Sequence, residues 1–193
     1  TGRALVRLQC YDGIEQRQAL YEWNYAAQLL YLRAQQGAQQ SDTDNPQQAA
    51  DRAQAAIYQP RFLSARPLLQ ALQAPAPGVV LLIDELDRAD EPFEAFLLEV
   101  LSDFQITIPE LGTVRAKEPP IVVLTSNRTR DLHDAVKRRC LYQWIDYPDA
   151  QREVEIVRRH VRGASETLAV QVATAVSRMR DSDVQKPPGI AEA

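Results

Sequence analysis

Apolar residues in this chain follow two spacings, short unbroken runs and helical i, i+3, i+4 stripes, and their order predicts the elements. Val79–Ile83 (VVLLI) and Ile121–Asn127 (IVVLTSN) read as fully buried strands, and Ala4–Gln9 (ALVRLQ) as a short strand closed by Asp12-Gly13. From Ile14 to about Gln36, Leu20, Trp23, Ala27, Leu30 and Tyr31 recur at helical spacing. Between Gln35 and Gln54 the composition shifts to glutamine, alanine, aspartate and asparagine, which predicts a surface insertion. Within it, Asn45 before Pro46 is placed to cap a short helix running to about Tyr58. A further short helix, Pro67 to Gln73, leads into APAPG, a loop that delivers the chain to Val79.

Asp90 is placed to cap a helix with Pro92 in its first turn, where a missing N–H costs little. Phe93, Phe96, Leu97, Val100, Leu101 and Phe104 then mark one buried face. QITI and TVRA flank PELG at hairpin spacing. After the Ile121 strand come a short helix, Asp131 to Arg138, and a last strand, LYQWI. Two helices follow, about Asp149–Val161 and Ser165–Arg180, the second with Leu168, Val172, Val176 and Met179 along one side. Apolar strands alternating with helices predict an α/β fold with a parallel sheet, and the helical tail reads as a small appended lid.

Composition changes this picture little. A chain of 193 residues, 45% hydrophobic and 25% charged, is an ordinary globular sequence. Val79–Ile83, its longest apolar run, is far too short to cross a bilayer. The opening TGRALVRLQC lacks the apolar core of a signal peptide. Cys10 and Cys140, far apart and without companions, suggest neither a disulfide framework nor a zinc site, so a reducing, cytoplasmic setting is expected. A net charge of −4 weighs against a dedicated nucleic-acid binder.

The candidate chemistry sits at strand ends, where open parallel sheets bind ligands. Asp84 and Glu85 end the Val79 strand, and one such acid can hold Mg²⁺ while the other polarises an attacking water. An acidic capping pair at a strand exit is the plainer alternative. Asn127 ends the next strand and projects from the same edge, where an amide can orient water and contact a γ-phosphate; it can equally turn the chain. Lys137, Arg138 and Arg139 end a short helix, where cations suit the helix dipole. Alternatively, Arg138 or Arg139 is an arginine finger reaching a neighbouring subunit's site. Spacing does not decide between these.

With these residues in view, the chain resembles the MoxR family of AAA+ ATPases, and within it the CoxD-like branch associated with maturation of molybdenum–copper carbon monoxide dehydrogenase. The resemblance rests on RLQCYDG, ALYEWNYA, LLIDELDRADEPFEAFLLEVLSDFQITIPELGTVRA, VVLTSNRTRDLHDAVKRRCLYQWIDYP and KPPGIAEA. It implies a parallel-sheet P-loop core over residues 1–147, with the Gln-rich insertion at about 35–58, and a helical lid over 148–193. It also implies ATP and Mg²⁺ as cofactors, Asp84 as the Mg²⁺ ligand, Glu85 as the catalytic glutamate and Asn127 as the sensor 1 residue. Arg138 or Arg139 would be the finger, with Arg139, nearer the following strand, preferred. A hexameric ring, a partner with a von Willebrand factor A domain and a metalloenzyme client are further implications.

Two departures stand out. A Walker A loop needs Gly-Lys followed by Ser or Thr, but Lys117, Lys137 and Lys186 follow Ala, Val and Gln. The resemblance places that loop upstream of Thr1, leaving the core incomplete at its N-terminus. In GIAEA, Glu192 stands where many relatives carry a sensor 2 arginine. A non-hydrolysing assembly module is therefore the alternative class. A nucleic-acid motor is another, although the hairpin carries only Arg115 as a basic residue and contains Glu110.

Overall fold

The computed structural model of the chain describes residues 2–38, 46–161 and 163–181. It divides into two compact units, one ending at Leu141 and the other starting at Tyr142.

The first unit is built on a parallel sheet ordered β1 (Ala4–Gln9), β4 (Val79–Asp84), β7 (Ile121–Leu124). Because β4 is central, its residues face a partner on each side: Leu81 is opposite Val6 and Val122, and Ile83 opposite Leu8 and Leu124. Val79, Leu81 and Ile83 point into the core. There they meet α4 (Pro67–Leu72) through Leu68 and Leu72, and α5 (Glu91–Asp103) through Phe93, Phe96, Leu97 and Val100. The turn into β4 needs Gly78, whose φ is +82° and where a Cβ would lie 3.2 Å from the Arg3 guanidinium. Asp90 caps α5 as the sequence predicts, its carboxylate accepting from Phe93 N at 2.9 Å. The hairpin also forms, β5 (Gln105–Ile108) against β6 (Gly112–Arg115), with the Thr107 and Thr113 hydroxyls 2.9 Å apart.

Five expectations are corrected. The helical stretch from Ile14 to Gln36 is broken in two: α1 (Gln16–Leu20) and α2 (Tyr25–Ala38) are separated by β2 (Tyr21–Trp23). At Tyr21 the backbone extends to pair with β3 (Leu63–Ala65), and Asn24 restarts the helix by accepting from Ala27 N at 3.0 Å. Tertiary pairing has overridden the local periodicity, and Leu30, on the expected stripe, is exposed. The insertion helix forms as α3 (Pro46–Ile57); its expected cap, Asn45, lies outside the described residues.

The strand expected over 121–127 is neither so long nor fully buried. It ends at Leu124 and is a sheet edge, with Ile121 44% and Val123 43% exposed. They share a face with Leu5 of β1, 65% exposed, and with Val80 and Leu82, only half buried. Among the described residues, therefore, only one face of the sheet is fully covered. LYQWI forms no strand. Leu141 and Ile145 are exposed and the segment pairs with no described strand. The helix expected over 131–138 is the single turn α6 (Asp134–Lys137).

In the second unit, α7 (Ala150–His160) is capped by Asp149, which accepts from Arg152 N at 2.7 Å. Glu153 of α7 is buried and takes two bonds, at 2.7 and 3.2 Å, from Arg180 of α8 (Glu166–Asp181). The same guanidinium lies 4.3 Å from the centre of the Tyr147 ring. The fifth correction is here: Ala169, Ala173 and Val176 are buried, whereas Leu168 and Met179 of the expected stripe are exposed.

The two sheet faces should respond differently to substitution. Leu81→Ala is expected to cost about 2–5 kcal/mol in urea unfolding, as for other buried leucines. Val123→Thr should cost less than about 0.5 kcal/mol, as at an exposed position. Similar losses at both would mean that the second face is covered in solution.

Candidate functional site

The central strand delivers Asp84 to the carboxyl edge of the sheet, beside Gln9 on one side and next to Thr125 on the other. Strand alternation would send Glu85 to the opposite face. Instead Glu85 adopts left-handed backbone angles, φ 54° and ψ 49°. A non-glycine residue reaches that region at a cost of about 1–2 kcal/mol. The turn is fixed by three bonds: Glu85 N donates to Thr125 Oγ1 at 3.0 Å, Leu86 N to Thr125 O at 2.9 Å, and Arg88 N to Glu85 O at 3.0 Å. The result is that both carboxylates stand on one side.

Around them the polar groups converge. Asn127 Nδ2 donates to Glu85 Oε1 at 3.3 Å, and Gln9 Nε2 donates to Glu85 Oε2 at 3.1 Å. Arg88 Nη1 lies 3.5 Å from the same oxygen and also pairs with Asp12 at 3.3 Å. The Thr125 hydroxyl, while accepting from Glu85 N, donates to Asp84 Oδ1. Arg7 of β1 reaches Asp84 Oδ2 from Nε at 3.0 Å and from Nη2. The Thr125 hydroxyl first, then the Arg7 guanidinium, hold the Asp84 carboxyl below its usual range.

Asn127 is held in place by buried acids that the sequence reading did not single out. Asp87 accepts from Asn127 N at 3.1 Å, Thr129 N at 2.8 Å and Thr129 Oγ1 at 2.6 Å. Burial pushes its pKa up, but the Thr129 and Asn127 bonds outweigh this and leave it lowered. Glu94, 1% exposed, accepts from His133 N at 2.9 Å and pairs with Arg130, which also reaches Ala89 O. Together the two acids fasten the loop after β7 to α5 and to the turn after β4.

The structure therefore brings Asp84, Glu85 and Asn127 together. Among the described residues no hydrogen bond or ion pair joins Arg138 or Arg139 to them. Arg139 Nη1 caps its own helix, donating to Ala135 O at 3.2 Å, while Arg138 is exposed with no such bond among the described residues. The preference for Arg139 rests on its lying nearer the following strand, and among the described residues LYQWI forms no such strand. Glu192 lies outside the described residues. Cys10 is buried, and burial first, then the charges of Asp84, Asp87 and Glu85, push its thiol up to about 11, so no thiolate nucleophile is present at neutral pH.

Gln9, Arg7, Thr125 and Asp87 were missed. The one available signal was parity: in parallel register, the residue two before Asn127 falls next to Asp84, and Gln9 faces Asp84 from the other side.

The fold and this strand-edge site define a parallel-sheet α/β core with two carboxylates and an amide gathered at one end of its central strand. A solved crystal structure of a "putative ATPase" from Cytophaga hutchinsonii is similar to this chain, with a TM-score of 0.50 at 15% identity, over 92% of this chain and 47% of that one. The chain thus spans about half the length of that structure, and at this identity the likeness concerns the fold. The chain matches no family model, and no curated protein matches it.

Acid unfolding reports the two aspartates. Their folded pKa values lie below the unfolded value of about 3.9, so the unfolded chain binds more protons in that range. Their stabilisation is complete above about pH 4 and is lost as pH falls through the folded values. Asp87→Asn should lower stability at neutral pH and flatten the acid limb of a stability-against-pH curve. An unchanged limb would show that Asp87 does not anchor the loop.

Proposed function

We propose that this chain belongs to a Mg-ATP-dependent AAA+ ATPase of MoxR type, CoxD-like, that remodels or loads a metalloenzyme. The single observation that carries this reading is the turn at Glu85, which sets two carboxylates and the Asn127 amide on one edge of a parallel sheet.

The donor set suits magnesium held mostly by phosphate and water. Mg²⁺ is typically bound through one or two carboxylates plus substrate phosphates rather than in an all-protein cage. Among the described residues no cluster of three His, Cys, Asp or Glu offers such a cage. Asp84 is the residue that would hold the ion, which supplies charge neutralisation on the phosphates when bound. Glu85, its carboxylate fixed at Oε1 by the Asn127 amide, would orient and polarise the attacking water, and Asn127 would be the residue to contact the γ-phosphate. A metalloenzyme client, a hexameric ring and a partner with a von Willebrand factor A domain belong to the same proposal. A non-hydrolysing assembly module is the second reading.

Hydrolysis is to be assayed in ring-assembled protein that includes a phosphate-binding loop. There, Glu85→Gln should keep ATP binding and lower turnover by about 10²–10⁴-fold. Unchanged turnover would overturn the role of Glu85, whereas no turnover in the parent protein favours the assembly module.

Arg138 is the proposed finger. Arg138→Ala should abolish most turnover with nucleotide binding intact, and mixing it with Glu85→Gln should restore part of the activity, because some junctions combine an intact acid pair with an intact finger. Loss without restoration would leave Arg138 a structural helix-end cation, contributing about 0.3–1 kcal/mol.

A further inference from the structure

The Arg7 guanidinium does more than a surface ion pair requires. Its Nε and Nη2 both donate to Asp84 Oδ2, at 3.0 Å from Nε, and Nη2 also donates to Gln9 Oε1. The other end of the Gln9 amide donates to Glu85 Oε2 at 3.1 Å. One cation is thus bonded to the first carboxylate directly and to the second through a single amide. With the Thr125 hydroxyl on Oδ1, Asp84 has little acceptor capacity left, and both donors on Oδ2 come from Arg7.

The sequence positions this contact. Arg7 is opposite Leu82 in the parallel register, on the face that carries Asp84, so its long side chain runs up the sheet by two residues to the strand end. At 57% exposure for Arg7 and 22% for Asp84, the guanidinium has room to leave without opening the core. A divalent ion on Asp84 and a guanidinium on the same oxygen repel each other and compete for the same lone pairs.

We infer that Arg7 is a built-in counter-cation of Asp84, occupying the carboxylate in the metal-free state and setting the divalent-metal concentration at which the site loads. The inference rests on the proposed reading of Asp84 as the metal-holding residue. Arg7 is in this account a positioning residue: metal entry displaces it from Oδ2, and the Asp84 oxygen passes from a hydrogen-bond acceptor to a metal ligand with no net change of protons.

The test uses the full chain, labelled with ¹⁵N, and Mn²⁺ alone as the probe, reading the metal concentration that half-broadens the Glu85 and Thr125 amide resonances. Arg7→Gln is expected to lower that concentration about ten-fold, the effect of removing one close positive charge under partial salt screening. Arg7→Lys, which keeps the charge, should stay near the parent value, and Asp84→Asn should raise the concentration about ten-fold or more. A purely structural ion pair would lower urea stability without moving the metal midpoint. If Asp84→Asn weakens binding but Arg7→Gln matches the parent, the counter-cation role is wrong and the proposed role of Asp84 stands. If Asp84→Asn changes nothing, the metal assignment fails and the inference with it. A second measurement needs no variant: in a Mg²⁺ titration of the parent chain, the Arg7 Nε–H resonance should shift in step with the Thr125 amide. An Nε–H signal that stays fixed while Thr125 shifts would overturn the inference even if Arg7→Gln does not fold.

Discussion

Everything at the sheet edge depends on one backbone constraint, the left-handed turn at Glu85. A residue with a Cβ does not stay in that region unless its surroundings repay the cost. Thr125 repays it twice, with its hydroxyl accepting from Glu85 N and its carbonyl accepting from Leu86 N. That hydroxyl then has its proton left to give, and it gives it to Asp84. One side chain thereby sets the backbone of one acid and the hydrogen bonding of the other. The coupling requires β7 to lie beside β4 in parallel register, so the sheet and the site are a single construction.

The loop after β7 is held by a second device, and it is electrostatic. Two carboxylates are buried where an unpaired charge would be costly, and both are satisfied by donors from that loop. Asp87 takes the Asn127 and Thr129 donors, and Glu94 takes His133 N and Arg130. Neither acid reaches the candidate chemistry. Their effect is to remove freedom from Asn127, whose side chain must meet a particular carboxylate oxygen. Rigid placement of an amide from a loop would otherwise be hard to achieve, since loops are the mobile parts of such folds.

What the sequence made legible follows from the range of each interaction. The β4 run, the capped α5 stripe and the β5–β6 hairpin are encoded within a dozen neighbouring residues, and each formed where its pattern placed it. The carboxylates were legible because the end of β4 is marked by a change from apolar to polar, and Asn127 because it lies in the polar segment that follows β7. Elements whose state is decided by distant partners were not. Tyr21–Trp23 is a strand only because Leu63–Ala65 lies beside it, and LYQWI is not one because no described strand does. On α8 the helical pattern was right but its buried face was not, since alanine carries little hydropathic signal compared with Leu168 and Met179. Gln9, Arg7 and Thr125 acquire meaning only in register with β4, which composition and periodicity do not encode.

The site also inherits an asymmetry from the sheet. Parallel sheets are normally covered on both faces, yet here Val79, Leu81 and Ile83 are buried while Leu5, Ile121 and Val123 are largely open to water. Asp84, Gln9 and Arg7 have the parity of the open face, not of the core. The apolar surface formed by Leu5, Val80, Leu82, Ile121 and Val123 therefore runs directly into the carboxylates at its upper end. The candidate site therefore opens on the less covered face of the sheet and not on the packed one.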